Sequence, residues 1–241
     1  MINLGISVLV YALLFLVLQW VTNLAPLYLA LISLLGFGAS FYLLSRRTST
    51  RLAALMEEVQ RDVQAGRTEK AVKTLQAAHA LGKWQFFVTS QIEAQIGCIL
   101  YLKREFNQAF DHLRKGFSRH WVAMAMLAIC YMKRNKPEQM RVAFEKAVTS
   151  TKNESLPWSL YAYCLDKLGE RSKAIAILER AIKKGAADDT LLANLEALQE
   201  GRKMKMKAYG DLWYQFHLEK QGAMIRQQTK AMQGRRKTVR R

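Results

Sequence analysis

Three cysteines and four histidines are the side chains of this chain best suited to nucleophilic, redox or metal chemistry, and their spacing argues against all three. Cys98, Cys130 and Cys164 stand far apart, with no Cys-x2-Cys pair anywhere. A structural zinc site draws on about four nitrogen or sulfur ligands with short local spacing, which this set does not offer. An odd count in a segment expected to face the reducing cytoplasm also argues against disulfides. His79, His112, His120 and His217 have no neighbour at a spacing that makes a catalytic signature. The chain has no Gly-x4-Gly-Lys-Ser/Thr phosphate loop, no His-Glu-x2-His metal motif and no Gly-x-Ser-x-Gly elbow. Gly36-Phe37-Gly38 lacks the third glycine of a dinucleotide turn and sits in a strongly apolar stretch. No catalytic, cofactor-binding or metal-binding residue is therefore assigned, and the expectation is a protein that works by binding and is not an enzyme.

The elements that carry these residues are helices. Beyond Ser45 the chain is long enough for one or two ordinary domains, and it shows no strand-like alternation. Apolar residues recur at spacings of three and four. Segments of about a dozen residues are separated by short punctuation at Gly66-Arg67, Arg104-Glu105, Asn135-Lys136-Pro137 and Gly169-Glu170. The expected fold class is all-α, a chain of helical hairpins, and each cysteine falls in the middle of one of its helices, where a small inert thiol packs well.

Stacking the hairpins exposes a pattern. It is clearest in Trp158-x2-Tyr161-Ala162-x2-Leu165 followed by Ala174-x3-Leu178-x2-Ala181. The unit before it reads Met124-x2-Leu127-Ala128-x2-Tyr131, then Met140-x3-Phe144-x2-Ala147. Earlier still come Ile96-Gly97-x2-Leu100, then Ala109-x3-Leu113-x2-Gly116. In all three the small residue of the first helix lies twelve places before the residue that opens the second. A weaker copy begins near Val59 and continues through Gly66, Ala71, Leu75 and Ala78. The small residue lets two antiparallel helices approach, and the large ones fill the gap toward the next hairpin. The pattern resembles the tetratricopeptide repeat, over roughly residues 51–184, with steps of 38, 31 and 34 residues between units.

That resemblance implies an α-solenoid whose first helices line a concave groove for a protein partner. The corresponding positions here are Gln60, Gln95, Tyr101, Met126, Met132, Lys133, Tyr163 and Lys167, a mixture of thioethers, rings and amides suited to an amphipathic peptide. The alternative is that several of them pack inside the stack. The clamp with which some relatives hold a terminal carboxylate would fall at Met56, Gln60, Gln95, Val122 and Met126, which do not supply it. A chaperone-tail receptor is therefore not expected.

Ahead of the repeats, the first 45 residues contain no Asp, Glu, Lys or Arg. Thr22-Asn23 and Pro26 divide them into apolar runs over 2–21 and 26–44, each long enough to cross a hydrocarbon layer of about 30 Å as a helix. A transmembrane hairpin is expected. Arg46, Arg47 and Arg51 follow the second span directly while the turn between spans has no basic residue, which places both termini on the cytoplasmic side. The location expected is a bacterial inner membrane. A cleaved secretory signal would have a basic n-region, a shorter apolar run and a small-residue cleavage site, and none of these is convincing here. Gly36, Gly38, Ala39 and Ser40 suit a close approach, either to the first span or to another helix.

At the far end Asp188-Asp189 is expected to cap a helix running to Glu200, and 204–218 to supply a second one, the pair closing the solenoid over 185–220. The charge excess lies there as well. Residues 46–201 hold 25 basic and 17 acidic side chains, whereas 202–241 hold 12 and 2. Within a tail over 221–241, Arg235, Arg236, Lys237, Arg240 and Arg241 suit an anionic surface: lipid head groups, nucleic-acid phosphates or acidic protein. Lipid is the first candidate because the expected anchor already confines the tail near a membrane. Tyr209, Trp213, Tyr214 and Phe216 lie beside this region and suit stacking on bases, though aromatics at near-helical spacing more often belong to a core. The whole layout is a hairpin anchor over 1–45, repeats over 46–184, a cap and a basic tail. It reads as a scaffold that binds protein at the membrane, with a membrane-tethered nucleic-acid-binding protein as the alternative.

Overall fold

The computed structural model describes residues 1–22, 25–151 and 153–219, and all regular structure among them is helical. The basic tail lies outside the described residues. The chain divides into two compact units, Met1–Leu127 and Ala128–Arg241.

The first unit begins with α1 (Ile2–Val21) and α2 (Pro26–Gln64). Thr22 ends α1, its backbone N–H and its hydroxyl both bonding the Leu18 carbonyl at 2.9 and 2.7 Å. Pro26 at the first turn of α2 has no N–H to leave unsatisfied there. The two helices run antiparallel. Asn3 Nδ2 donates to Thr48 Oγ1 at 3.0 Å, and further along a Cβ added at Gly36 would lie 2.3 Å from Leu14 Cδ1. Gly36 thus serves the contact with the first helix, while Gly38 faces open space.

Where the apolar run ends, the helix does not. α2 continues through Arg46, Arg47 and Arg51 for 39 residues in all. The stretch 46–64 contains neither Gly nor Pro and is rich in Arg, Leu, Ala, Met and Glu, all good helix formers. Its last turns form the first half of a hairpin with α3 (Thr68–Ala77), and Val59, Ala71 and Leu75 are completely buried. A 3-10 turn (Ala78–Lys83) leads to α4 (Val88–Leu102) and α5 (Phe106–Lys115). Here Gly97 does what its position predicts. A Cβ at that site would stand 2.7 Å from Leu113 Cγ and 3.0 Å from the Leu113 backbone nitrogen, so the bare glycine sets how closely α4 and α5 pack.

Helix α6 (Trp121–Lys133) crosses the division between units. The second unit continues with α7 (Pro137–Ser150), α8 (Leu156–Lys167), α9 (Arg171–Lys183) and α10 (Asp189–Gln199). Asp188 caps α10 as its sequence suggests, Oδ1 accepting the Leu191 N–H at 2.7 Å. The stretch 204–218 departs from the expected helix. It holds only a 3-10 turn (Met206–Tyr209) and the single helical turn α11 (Asp211–Tyr214), separated by Gly210 at φ 60°.

The punctuation read from sequence is one backbone device repeated. Gly66, Arg104, Asn135 and Gly169 all have left-handed φ, at 75°, 68°, 58° and 82°. In each case the next residue's N–H returns to a carbonyl five places back: Arg67 to Asp62, Glu105 to Leu100, Lys136 to Tyr131 and Glu170 to Leu165, at 2.8 to 3.0 Å. This closure satisfies carbonyls left free by the helix end. It recurs at the same 38, 31 and 34 residue steps as the apolar markers, so the repeat is built into the backbone as well as the core.

Candidate functional site

In the first unit, Gln60 on α2 is exposed and Gln95 on α4 is half-buried. Tyr101 and Met126 are not available to a partner. Tyr101 is 0 % exposed, its ring edge-on to Phe106 at 5.1 Å, and Met126 is 1 % exposed. Every residue over 96–101 and 123–130 is buried, so these helices are covered all round, and positions that would be surface on a more open helix become interior.

In the second unit, Met132 is half-buried and Lys133 exposed at the end of α6, while α8 carries half-buried Tyr163 and exposed Lys167. Lys167 Nζ stands 5.2 Å from the centroid of the Tyr163 ring. The C-terminal segment folds against the same helix. Trp213 meets Tyr163 edge-on at 4.9 Å, and the Tyr209 hydroxyl lies 2.8 Å from Ser159 Oγ. Ser155 donates to Asp188, tying the start of α8 to the cap of α10, and the Lys205 N–H donates to Asn194 Oδ1 at 2.6 Å. Burial pushes the Tyr163 hydroxyl up to about 12, with the Glu219 carboxylate adding to it. Trp213 and Phe216 are 1 % and 0 % exposed, so these rings belong to the core.

The hairpin α8–α9 has the features of a repeat at atomic level. Trp158, Tyr161, Ala162, Leu165, Ala174, Leu178 and Ala181 are all buried, and Tyr161 stacks on Phe144 at 5.0 Å. Residues 157–183 match the tetratricopeptide repeat family. This segment is a tetratricopeptide repeat. Its boundaries are those of the hairpin itself, from Pro157 in the first turn of α8 to Lys183 at the end of α9. No curated protein matches the chain. Beside the tetratricopeptide hairpin, Glu145, Trp158, Arg180 and Lys184 line a cleft of about 520 Å³. Arg180 lies over the Trp158 ring at 4.9 Å and holds both Glu145 oxygens at 2.9 and 2.8 Å, so its charge is spent within the fold.

The thiols are core groups. Cys98, Cys130 and Cys164 are free and buried. Burial pushes Cys98 up to about 12 and Cys130 up to about 11, and raises Cys164 too. A thiol held protonated at neutral pH is a poor nucleophile and a poor ligand. Two histidines, by contrast, share a partner that sequence spacing conceals. His112 Nδ1 lies 2.7 Å from Glu93 Oε2 and His79 Nε2 lies 3.3 Å from Glu93 Oε1, with Glu93 itself buried. Each imidazole takes a different carboxylate oxygen, and among the described residues no three acidic, His or Cys groups gather as a metal would require. The set ties the segment after α3 to α4 and α5. Separations of 14 and 19 residues hide it in a sequence scan, because only the hairpin brings the three together.

Proposed function

We propose that this chain is a membrane-anchored scaffold that binds a protein partner at the cytoplasmic face of a bacterial inner membrane. The tetratricopeptide repeat supports the binding half of this reading, since stacked helical hairpins present long concave faces to other chains. The observation that carries the anchoring half is α2, one uninterrupted helix whose apolar part is exposed and whose last turns build the first repeat-like hairpin. Both α1 and α2 contain a stretch long and apolar enough to cross a membrane, and only 6 % and 11 % of those stretches is buried. The core helix of a soluble protein would be mostly covered. Here Leu9, Leu16 and Leu35 are 63 %, 61 % and 75 % exposed. Trp20 and Tyr28 flank the turn end and Tyr42 the other end, the positions that interfacial aromatics favour. Arg46, Arg47 and Arg51 support a cytoplasmic position for that end, since basic flanks favour that side. A phosphatase reporter fused after Thr50 tests the orientation: activity there rejects it, as would recovery of a chain cleaved near residue 22.

The partner is a protein segment received by first-helix faces, each unit taken by itself: Gln60 and Gln95 are the side chains in reach on the first unit, and Met132, Lys133, Tyr163 and Lys167 on the second. Tyr101 and Met126 are interior and are not among them. Crosslinking of full-length protein in mild detergent, followed by mass spectrometry, identifies what binds. Tyr163→Ala and Met132→Ala lower the yield if the faces do the work. The second reading, nucleic acid held by the tail, draws on the 12 basic against 2 acidic residues over 202–241. If deletion of 233–241 abolishes recovery and binding collapses steeply with salt, that reading replaces the first.

A further inference from the structure

The loop joining the 3-10 turn to α4 reads Lys83-Trp84-Gln85-Phe86-Phe87, and its three aromatic side chains are 40 %, 41 % and 65 % exposed. We infer that this loop is a second membrane contact, laying Trp84, Phe86 and Phe87 on the anionic head-group boundary of the bilayer that the two apolar helices cross. The inference rests on the membrane reading proposed above and adds a lipid-binding surface outside the spans.

Position is the first argument. The Asn3 N–H donates to the Trp84 carbonyl at 3.1 Å, and the amino group of Met1 donates to the Lys83 carbonyl. Asn3 belongs to the first turn of α1, and its side chain reaches Thr48 on α2, one turn past the end of the apolar run at Leu44. The loop is thus fastened at the level where both apolar helices leave the hydrocarbon. Phe86 also lines, with Ser49, Leu52 and Met56 of α2, a cleft of about 280 Å³.

Chemistry is the second. Aromatic rings favour the membrane interface, where the ring lies against acyl chains and polar atoms stay wet. Lys83 adjoins the rings in sequence, and Arg46, Arg47 and Arg51 lie within a turn of Thr48 along α2, at the level where the loop is fastened though on another side of the helix from the Ser49, Leu52 and Met56 that meet Phe86. Aromatic rings held at the level of such cations suit anionic lipid. The loop is also held firm. Phe87 has φ 64°, its carbonyl accepts from the Gln91 N–H and the Ser90 hydroxyl at 2.9 Å each, and its ring sits 5.6 Å from that of Phe117. A bulky residue persists in that conformation only where its surroundings over-determine it, so the ring stays presented outward instead of collapsing onto the fold.

The test places an environment-sensitive fluorophore at Phe87→Cys in the full-length protein, reconstituted into phosphatidylcholine–phosphatidylglycerol vesicles. The three native thiols are buried and stay unlabelled. Lipids carrying a nitroxide near the head group should remove most of the emission at position 87, while a label at Gln64→Cys, exposed at the end of α2 and about 30 Å along that helix from Leu44, keeps its emission. A label at Leu35→Cys, read with nitroxides near the chain ends, reports the spans separately. Quenching at 35 with none at 87 overturns this inference alone, leaving the rings for a protein partner. Quenching at neither position overturns it together with the membrane reading, and equal quenching at 87 and 64 removes the claim for this loop in particular.

Discussion

The pair α1–α2 and the pair α4–α5 are built on the same contact and carry opposite outer surfaces. Each is an antiparallel couple closed by a glycine against a leucine, Gly36 on Leu14 in one and Gly97 on Leu113 in the other. In α4–α5 the leucine side is sealed, with Leu113 0 % exposed, while Asn107, Gln108, Asp111, Arg114 and Lys115 face outward. In α1–α2 the outward residues are the leucines themselves. Local helix pairing therefore does not distinguish the two regions. What differs is the chemistry of the outer surface, polar on one pair and apolar on the other, and an apolar face of that extent left in water would drive association.

Shortening one leucine in each pair should give the largest contrast. Leu113→Ala opens a cavity in a sealed contact and should lower the unfolding free energy by about 2–5 kcal/mol. Leu35→Ala removes atoms that touch no protein core and should leave it nearly unchanged. Denaturation of the full-length protein in mild detergent measures both, and equal losses would end the distinction. The two glycines come next. Gly97→Ala drives a methyl toward the Leu113 backbone and should cost about 1–3 kcal/mol. Gly36→Ala meets only the tip of the Leu14 side chain, which can rotate away, and should cost less. A smaller effect belongs to the repeat turns. Gly169→Ala forces a Cβ into left-handed backbone at φ 82° and should cost about 1 kcal/mol.

The smallest expected effect is a pH dependence confined to the helical-repeat side. His120 Nδ1 accepts the Ala123 N–H at 3.1 Å at the start of α6, and burial holds its imidazole below the ordinary value of 6.5. The folded chain thus favours the neutral ring. Its contribution is complete above the unfolded value and is lost as pH falls from about 6.5 through the lower folded value. Urea titrations at about pH 7 and about pH 5 should show wild type losing more stability than His120→Gln. An equal loss in both would remove His120 from the account.

The parts of the fold legible in the sequence are those encoded by neighbours along the chain. Gly66, Asn135 and Gly169 announced their turns, Asp188 announced the start of α10, and Ala128, Ala162 and Gly97 announced close helix contacts. What escaped depends on residues far apart in sequence. The helix α2 runs on beyond Leu44 because a polar helix and an apolar one share a backbone, and hydropathy registers only the change of side chain. The 204–218 stretch has helical spacing of its aromatics, but Trp213 packs on Tyr163 of α8 and Phe216 is buried without a long helix, and Gly210 breaks the run. Repeat position alone points to Tyr101 and Met126 as groove residues, but it does not register how many neighbours cover a helix, and both are buried. Glu93 between two histidines, and Trp84 beside Asn3, exist only once the chain has closed on itself.

The uninterrupted course of α2 also has a mechanical consequence. A helix of 39 residues is about 58 Å long, and neither Pro nor Gly interrupts its polar half. A tilt imposed near Val59 is therefore carried stiffly as far as Arg46, and any yielding along the rod falls to the apolar half, at Gly36 and Gly38.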